Sequence, residues 1–205
     1  MPLIEKPLAF SDASSVIVEQ KKASPNYTHT SWGDDVLQPV RREIREYYRT
    51  VQRLTCVYCL GPISSYSAFG AQIEHIVPKS QYLDFMFEPK NMCVICPDCN
   101  EFKSSREVLV KPVLAASRVN YPKNPLLFRI VHPHFDSYEE HIAKFNRLYV
   151  ECSDKGGYTI YICNLNRFYR KFGRCDELVD DVSLAEQSES FFEKGIVPES
   201  PPNGS

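Results

Sequence analysis

The chain has 205 residues, a net charge of −2 and 43% apolar residues, which suits one domain with extensions. It has no run of 18 apolar residues and no basic N-terminal segment followed by an apolar one, so we expect no membrane span, no secretory leader and a cytoplasmic location. The charge is uneven: residues 176–205 hold eight acidic and one basic side chain, which leaves residues 1–175 with a net charge of +5. Such a mildly basic body can bind a phosphate backbone.

The first part of the chain, residues 1–54, is predicted to be an irregular arm followed by one helix. Residues 1–33 mix Pro, Ser, Thr and Asn without a sustained period. From Asp34 or Asp35, apolar residues recur at helical spacing up to about Arg53. Four arginines spaced four residues apart share one helix face, which is typical of a solvated surface or of contact with phosphates. They are Arg41, Arg45, Arg49 and Arg53.

Four of the eight cysteines fall into two Cys-x-x-Cys pairs within residues 55–110. Cys56 and Cys59 form the first pair, and Cys96 and Cys99 form the second; 36 residues lie between the two pairs. Two residues between thiols let both sulfurs face one point, which is the spacing of zinc ligands. Four thiolates would fill every position of a tetrahedral site, so we expect a structural Zn²⁺. The isolated cysteines are expected to be ordinary buried thiols. They are Cys93, Cys152, Cys163 and Cys175.

Polar residues between and beside the cysteine pairs form a candidate catalytic set. A strand over Gln72 to Val77 would place Glu74 and His75 on opposite faces unless a bulge or turn intervenes. If zinc draws the pairs together, His75, Asn91 and Asn100 can converge. His75 could take a proton from water near neutral pH, and Asn91 could orient its ring. Oxygen atoms of Glu74 and Asn100 suit Mg²⁺ or Mn²⁺.

Residues 111–195 form a predicted accessory region, and residues 196–205 a disordered tail. We expect loop and short strand over 111–136, followed by a helix over 138–148. Strands 148–150 and 158–162 are predicted to form a hairpin around a turn at 153–157. A helix from Asn164 and an amphipathic helix over 180–195 are expected to follow. The histidines of this region are expected to hydrogen-bond within loops rather than to bind a second metal. They are His132, His134 and His141.

The segment from Cys56 to Lys103 resembles the HNH, or ββα-metal, nucleases, over about a quarter of the chain. The residues that carry the resemblance are the two cysteine pairs, Glu74-His75 with the Ile-Val-Pro-Lys-Ser that follows, Asn91, Asn100 and Lys103. The resemblance implies an α+β protein: a zinc-stapled ββα-metal core over 55–110, with an N-terminal helix and a C-terminal α/β extension. It also places Pro97 at the start of the core helix, a position that proline favours.

By this resemblance His75 is the general base, Asn91 holds it, and Glu74 with Asn100 supports a catalytic Mg²⁺ or Mn²⁺. Two positions depart from the family pattern, which often has Asp where Glu74 stands and His where Asn100 stands. Both residues still offer an oxygen to a cation. The implied function is metal-dependent hydrolysis of DNA phosphodiester bonds. The alternative is a non-catalytic, zinc-stabilised module that binds nucleic acid or acts as an adaptor.

Shorter matches outside the core are similar to the HNH subunits of Septu-type and retron-associated anti-phage systems. They run from Ile4-Glu5-Lys6 through His132-Pro-His-Phe-Asp136 to Leu165-Asn166-Arg167. Those subunits work beside an ATPase subunit. The likeness therefore implies an effector nuclease of bacterial anti-phage defence. It also implies an ATPase as a partner, which could contribute to DNA binding.

Overall fold

A computed structural model describes residues 3–111 and 120–172 as helices joined to two small sheets. The described elements are the helices α1 (Asp12–Lys22), α2 (Gln38–Val51), α3 (Pro97–Lys103), α4 (Asp154–Ile162) and α5 (Arg167–Phe172), and the strands β1 (Gln72–His75), β2 (Met92–Ile95), β3 (Ile142–Phe145) and β4 (Leu148–Glu151). The strands form two antiparallel pairs, β1 with β2 and β3 with β4. This mixture agrees with the expected α+β class. The helix predicted over 180–195 and the tail over 196–205 lie outside the described residues.

Helix α1 corrects the prediction that residues 1–33 are an irregular arm. Its apolar residues lack a helical period because only Ser14 and Val18 are buried. Capping specifies the helix instead: the Ser11 hydroxyl accepts a hydrogen bond from the Ser14 N–H. The Glu43 carboxylate of α2 accepts further hydrogen bonds from the Ser11 backbone N–H at 2.7 Å and its hydroxyl at 2.8 Å. These contacts attach the start of α1 to α2.

Helix α2 confirms the amphipathic helix predicted near residues 34–53. It begins at Gln38, after a 3₁₀ turn at Asp35–Leu37, with proline in its first turn. Val40, Ile44 and Tyr48 are fully buried, which is the i, i+4, i+8 stripe that the sequence shows. A neighbouring face of α2 contains the arginines, and the helix packs against β1.

Two antiparallel strands lie between the cysteine pairs and are followed by a helix that contains Cys99, in the order expected from the sequence. In the register of this pair, Glu74 lies opposite Cys93 and His75 lies opposite Met92. Strand β1 ends at His75, two residues earlier than predicted, because the Val77 N–H bonds to a side chain instead of to a strand. Helix α3 begins at Pro97, as predicted, directly after Cys96.

The C-terminal part departs from prediction at two elements. Residues 138–148 were expected to be helical, but only a 3₁₀ turn at Tyr138–Glu140 forms before β3. The predicted partner strand over 158–162 belongs to α4. Ser153 caps this helix by accepting from the Gly156 N–H at 3.1 Å. A Cβ at Gly156 would lie 1.8 Å from the His141 carbonyl oxygen, so glycine here permits close packing.

Side chains of the C-terminal part hydrogen-bond to the backbone around the first cysteine pair. The Tyr138 hydroxyl donates to the Tyr58 carbonyl at 2.8 Å, and the Tyr149 hydroxyl donates to the Cys59 carbonyl at 2.6 Å. The Lys144 ammonium donates to the next carbonyl, that of Leu60, at 3.2 Å. One cluster of buried residues runs from Ile4 to Leu165. The predicted core and accessory regions therefore share one interior.

No helix within residues 3–111 and 120–172 has both the length and the apolar character needed to cross a membrane.

Candidate active site

The four paired cysteines converge in the structure, as their spacing predicts. Each offers a sulfur, and the four sulfurs lie within 4.8 Å of one another. The Sγ atoms of Cys59 and Cys96 are 3.7 Å apart, which matches the roughly 3.8 Å edge of a tetrahedron with 2.3 Å Zn–S bonds. The Gly61 N–H also donates to Cys59 Sγ at 3.4 Å. This donor set fits Zn²⁺ and leaves no position for a substrate.

The other cysteines that the structure describes lie outside this cluster and differ from one another in burial. Cys93 and Cys163 are buried thiols, as predicted, whereas Cys152 is exposed, contrary to prediction. It follows the last residue of β4 and turns outward just before the cap of α4. Cys175 lies outside the described residues.

His75 is the best-defined residue of the candidate catalytic set. Its side chain is only 6% exposed, yet it borders an open cleft with a volume of about 590 Å³. The ring Nε2 lies 2.9 Å from the Met86 carbonyl oxygen, so Nε2 carries the proton and Nδ1 keeps a free lone pair. Trp32 packs edge-on against the ring, with 4.5 Å between centroids. The imidazole is thereby fixed in one tautomer and one orientation.

Burial, together with the positive charges of Lys79 and Lys103, lowers the pKa of His75 to about 3, and the hydrogen bond to Met86 opposes that shift. The free ring is therefore neutral throughout the physiological range. A phosphate bound beside Lys79 would offset that positive charge and raise the pKa toward neutrality, since an opposite charge favours the charged form of the ring.

Asn91 does not contact the His75 ring, so the prediction that it holds the ring directly is wrong. Its Oδ1 accepts from the Val77 N–H at 2.7 Å. Its Nδ2 donates to the carbonyls of Val77 at 3.0 Å and Phe85 at 2.9 Å. These bonds close the segment between the strands, and the bond to Phe85 fixes the backbone directly before Met86. Asn91 therefore positions the carbonyl that holds His75, and acts on the ring through the backbone.

We predict that Asn91→Ala destabilises the protein by about 3 kcal/mol, since it leaves three buried backbone groups without their partner. Urea unfolding measures this loss. Asp84→Ala, at an exposed position of the same segment, is the matched control and should change stability by less than about 0.5 kcal/mol. An Asn91→Ala protein as stable as this control would contradict the positioning role.

Glu74 and Lys103 form a buried ion pair beneath the cleft, which the sequence alone did not predict. The carboxylate is 5% exposed and the lysine is fully buried. The Lys103 ammonium also donates to the His75 carbonyl at 3.3 Å. Burial raises the pKa of the Glu74 carboxyl, and the Lys103 charge opposes that shift. Lys103, one of the residues that carry the family resemblance, is an interior counter-ion.

Asn100 faces the same cleft from the first turns of α3, together with Glu101. Its Nδ2 donates to Gln72 Oε1 across the start of β1. This bond turns the amide nitrogen toward β1, which leaves the carbonyl oxygen as the group available to a cation. Glu74 and Asn100 both line the cleft, and carboxylate and amide oxygens are ligands that suit a hard cation. The Lys103 charge would compete with such a cation for Glu74.

Two of the four spaced arginines line the cleft, and the others do not. Arg41 donates to the Asp34 carbonyl at 2.9 Å, and Arg45 donates to the Ala71 carbonyl at 3.0 Å; both border the cleft. Arg49 is buried and donates to the Ser67 carbonyl at 2.7 Å. Arg53 lies beyond the end of α2 and is exposed. With Lys79, the cleft therefore has three cationic side chains on its walls.

The histidines of the C-terminal part form internal hydrogen bonds, as predicted. His132 Nε2 lies 2.8 Å from the Tyr121 hydroxyl, and its Nδ1 accepts from the His134 N–H at 3.2 Å. His134 Nε2 lies 2.8 Å from the Met92 carbonyl oxygen. His141 Nδ1 lies 2.7 Å from the Ser153 hydroxyl.

Acid is expected to destabilise the protein through His132 and His134. Burial lowers the pKa of His132 well below its usual value and that of His134 to about 4. The unfolded chain therefore binds protons that the folded chain does not, and stability present above about pH 6.5 is lost as the pH falls toward about 4. In that pH window, each histidine lowers the free energy of unfolding by about 1.4 kcal/mol for every unit by which the pH falls. Urea unfolding at constant zinc should show a shallower loss in His134→Gln and an unchanged one in the exposed control His29→Gln.

Three residues that contribute to the site were not predicted from the sequence. Met86 acts through its carbonyl, so its side chain carries no signal. Gln72 was read only as the start of a strand, although it binds Asn100. Trp32 was assigned to the irregular arm, although it packs on His75; its being the single tryptophan was the one available hint.

No protein-family model matches the chain, and no curated protein matches its sequence. Its function must therefore be argued from the cleft itself.

Proposed function

We propose that this protein is an HNH-type endonuclease that hydrolyses phosphodiester bonds of DNA with the help of a divalent cation. The observation that supports this most strongly is the setting of His75. A neutral imidazole, held at Nε2 by the Met86 carbonyl, borders an open cleft with cationic walls. A fixed neutral base beside a phosphate-binding surface is the arrangement that phosphodiester hydrolysis needs.

In the proposed reaction Arg41, Arg45 and Lys79 attract the phosphate and stabilise the charge that develops on its oxygens. His75 Nδ1 accepts a proton from the attacking water. The resulting imidazolium is stabilised by the phosphate, because the approaching negative charge raises the pKa of the ring. Trp32 and the Met86 carbonyl keep the ring in position throughout, so no reorientation is needed at the moment of proton transfer.

Glu74 and Asn100 would hold the catalytic Mg²⁺ or Mn²⁺. When bound, such a cation stabilises the leaving 3′-oxygen and the pentavalent phosphate. The cysteine-bound Zn²⁺ would only hold the fold, because its four thiolates leave no free position. Thiols that bind zinc must stay reduced, which fits a cytoplasmic location.

The wider biological role that we propose is that of an effector nuclease in bacterial anti-phage defence, working beside an ATPase subunit. The support is the likeness of the sequence to Septu-type and retron-associated nuclease subunits. A partner that contributes to DNA binding would complement a cleft with only three cationic side chains.

A non-catalytic, zinc-stabilised adaptor is the second candidate function. The observation that favours it is the Glu74–Lys103 ion pair, because a carboxylate already neutralised by an internal lysine attracts a cation less strongly. An adaptor would bind nucleic acid without turning it over.

A plasmid-nicking assay with added Mg²⁺ or Mn²⁺ separates the two candidates. The nuclease is expected to convert supercoiled DNA to open-circular and linear forms. Binding of the plasmid with no conversion in either metal, alone or with the ATPase subunit, would favour the adaptor. A parallel incubation with RNA tests the substrate class, since this chemistry does not require a 2′-hydroxyl.

A further inference from the structure

The loop over residues 64–70 carries two large aromatic side chains that project into solvent. Tyr66 is 94% exposed and Phe69 is 75% exposed. All five residues from Ser65 to Phe69 are exposed, and the neighbours of the two rings along the loop are serine and alanine. The rings therefore stand apart from the apolar core, which predicts contact with something outside the chain.

Hydrogen bonds hold this loop in one shape although it is exposed. The Ser64 hydroxyl accepts from the N–H groups of Tyr66 at 3.2 Å and Ser67 at 2.9 Å. The Ser64 N–H donates to the Gly70 carbonyl at 3.0 Å, which closes the loop at its base. A Cβ at Gly70 would lie 2.7 Å from the Ser64 Cβ, so only glycine allows this close approach.

Helix α2 fixes the loop to the wall of the cleft. The buried Arg49 guanidinium donates to the Ser67 carbonyl at 2.7 Å. One turn earlier on the same face, Arg45 donates to the Ala71 carbonyl, directly after the loop, and lines the cleft. Ala68, between the two aromatic residues, also borders the cleft. The loop therefore reaches the cleft that contains His75 through Ala68, and the two aromatic residues flank that point in the chain.

We infer that Tyr66 and Phe69 form a base-stacking platform, which binds unpaired nucleobases of a strand whose phosphates lie in the cleft. This inference rests on the proposed function and narrows its substrate class to single-stranded or locally unpaired nucleic acid. Aromatic faces beside a cationic groove are the combination that binds single strands without reading their sequence. In a duplex the bases are stacked on one another, so their faces are not available to the rings.

The surroundings of the rings favour a nucleic acid over a protein partner. The adjoining cleft carries Arg41, Arg45 and Lys79, which complement phosphates. A protein hot spot would instead be expected to sit in an apolar patch that excludes water. Here the intervening residues Ser65 and Ser67 are polar and exposed.

Equilibrium binding to fluorescein-labelled oligonucleotides tests the platform. The full chain carrying His75→Ala is titrated with a single strand and with a duplex of the same sequence, so that no cleavage occurs. Adding Tyr66→Ala and Phe69→Ala together is expected to weaken single-strand binding by about 100-fold. Duplex binding should change by less than about twofold, because the cationic walls remain. Tyr66→Phe with Phe69→Tyr, which keeps both rings, should retain single-strand affinity.

A further control makes the outcome specific. Tyr161→Ala removes an aromatic ring that is also exposed but lies away from the cleft, and it should leave single-strand affinity unchanged. Unchanged single-strand affinity in the alanine pair would overturn the platform. So would an equal loss on single strand and duplex.

Failure of the platform and failure of the nuclease assignment are distinguishable. If the protein with His75 intact nicks plasmid but the alanine pair binds single strands normally, the platform is wrong and the nuclease stands. If it does not nick but single-strand binding depends on the two rings, the platform stands and the catalytic assignment is wrong.

Discussion

Replacing His75 with alanine is expected to lower the rate of DNA cleavage by about 1,000-fold, the scale of losing a positioned general base. Within residues 3–111 and 120–172, the His75 ring is the only imidazole that lines the cleft. Its hydrogen bond to the Met86 carbonyl leaves one nitrogen to accept the proton. The rate is measured under single-turnover conditions on supercoiled plasmid with Mg²⁺ in excess, which separates chemistry from product release.

The fold should survive this substitution. His75 contacts Met86 and Trp32, and neither is a zinc ligand. His75→Ala should therefore retain its zinc and its affinity for DNA. His134→Ala is the matched control, since that buried histidine also bonds a carbonyl but lies outside the cleft; it should lose stability and keep its cleavage rate while folded. Cleavage by His75→Ala at the unmodified rate would end the assignment of His75 as the base.

Replacing Cys96 with serine is expected to unfold the region between the cysteine pairs. Structural zinc sites of this kind contribute an apparent binding free energy of about 10–16 kcal/mol, which equals or exceeds the stability of a typical domain. The strands and helix that the zinc ties together are only four to seven residues long, so they cannot persist alone. Thermal unfolding followed by circular dichroism should show loss of the cooperative transition, with no zinc retained.

Cys152→Ser is the matched control for this substitution. It exchanges the same atoms at an exposed cysteine outside the cluster, and both the melting temperature and the zinc content should stay unchanged. A Cys96→Ser protein that lacks zinc and still unfolds at the original temperature would show that the cysteine cluster is not what holds this region together.

The sequence was most informative where short-range patterns determine structure. The apolar stripe of α2, the paired cysteines and Pro97 at the start of α3 all have local signatures, and the structure agrees with each. His75 and Asn100 also line one cleft, as expected from their places in the chain.

The sequence-based predictions that were wrong concern residues whose tertiary contacts override their local propensity. Residues 158–162 have a β-rich composition, but the cap at Ser153 and the close packing at Gly156 make them helical. The role of Asn91 was misjudged because its partners are backbone atoms, which no residue pattern reveals. The Glu74–Lys103 pair joins side chains 29 positions apart, and its burial depends on the assembled core.

We propose a separation of roles between two metals, with zinc holding the core and a second cation serving the His75 cleft. It is tested most directly by brief treatment of the protein with EDTA, followed by zinc quantification and plasmid nicking on the same sample. The prediction is one zinc retained per chain, no nicking, and full recovery on adding Mg²⁺ alone. Nicking that persists in EDTA with only the zinc bound, or nicking restored by Zn²⁺ and not by Mg²⁺ or Mn²⁺, would contradict it.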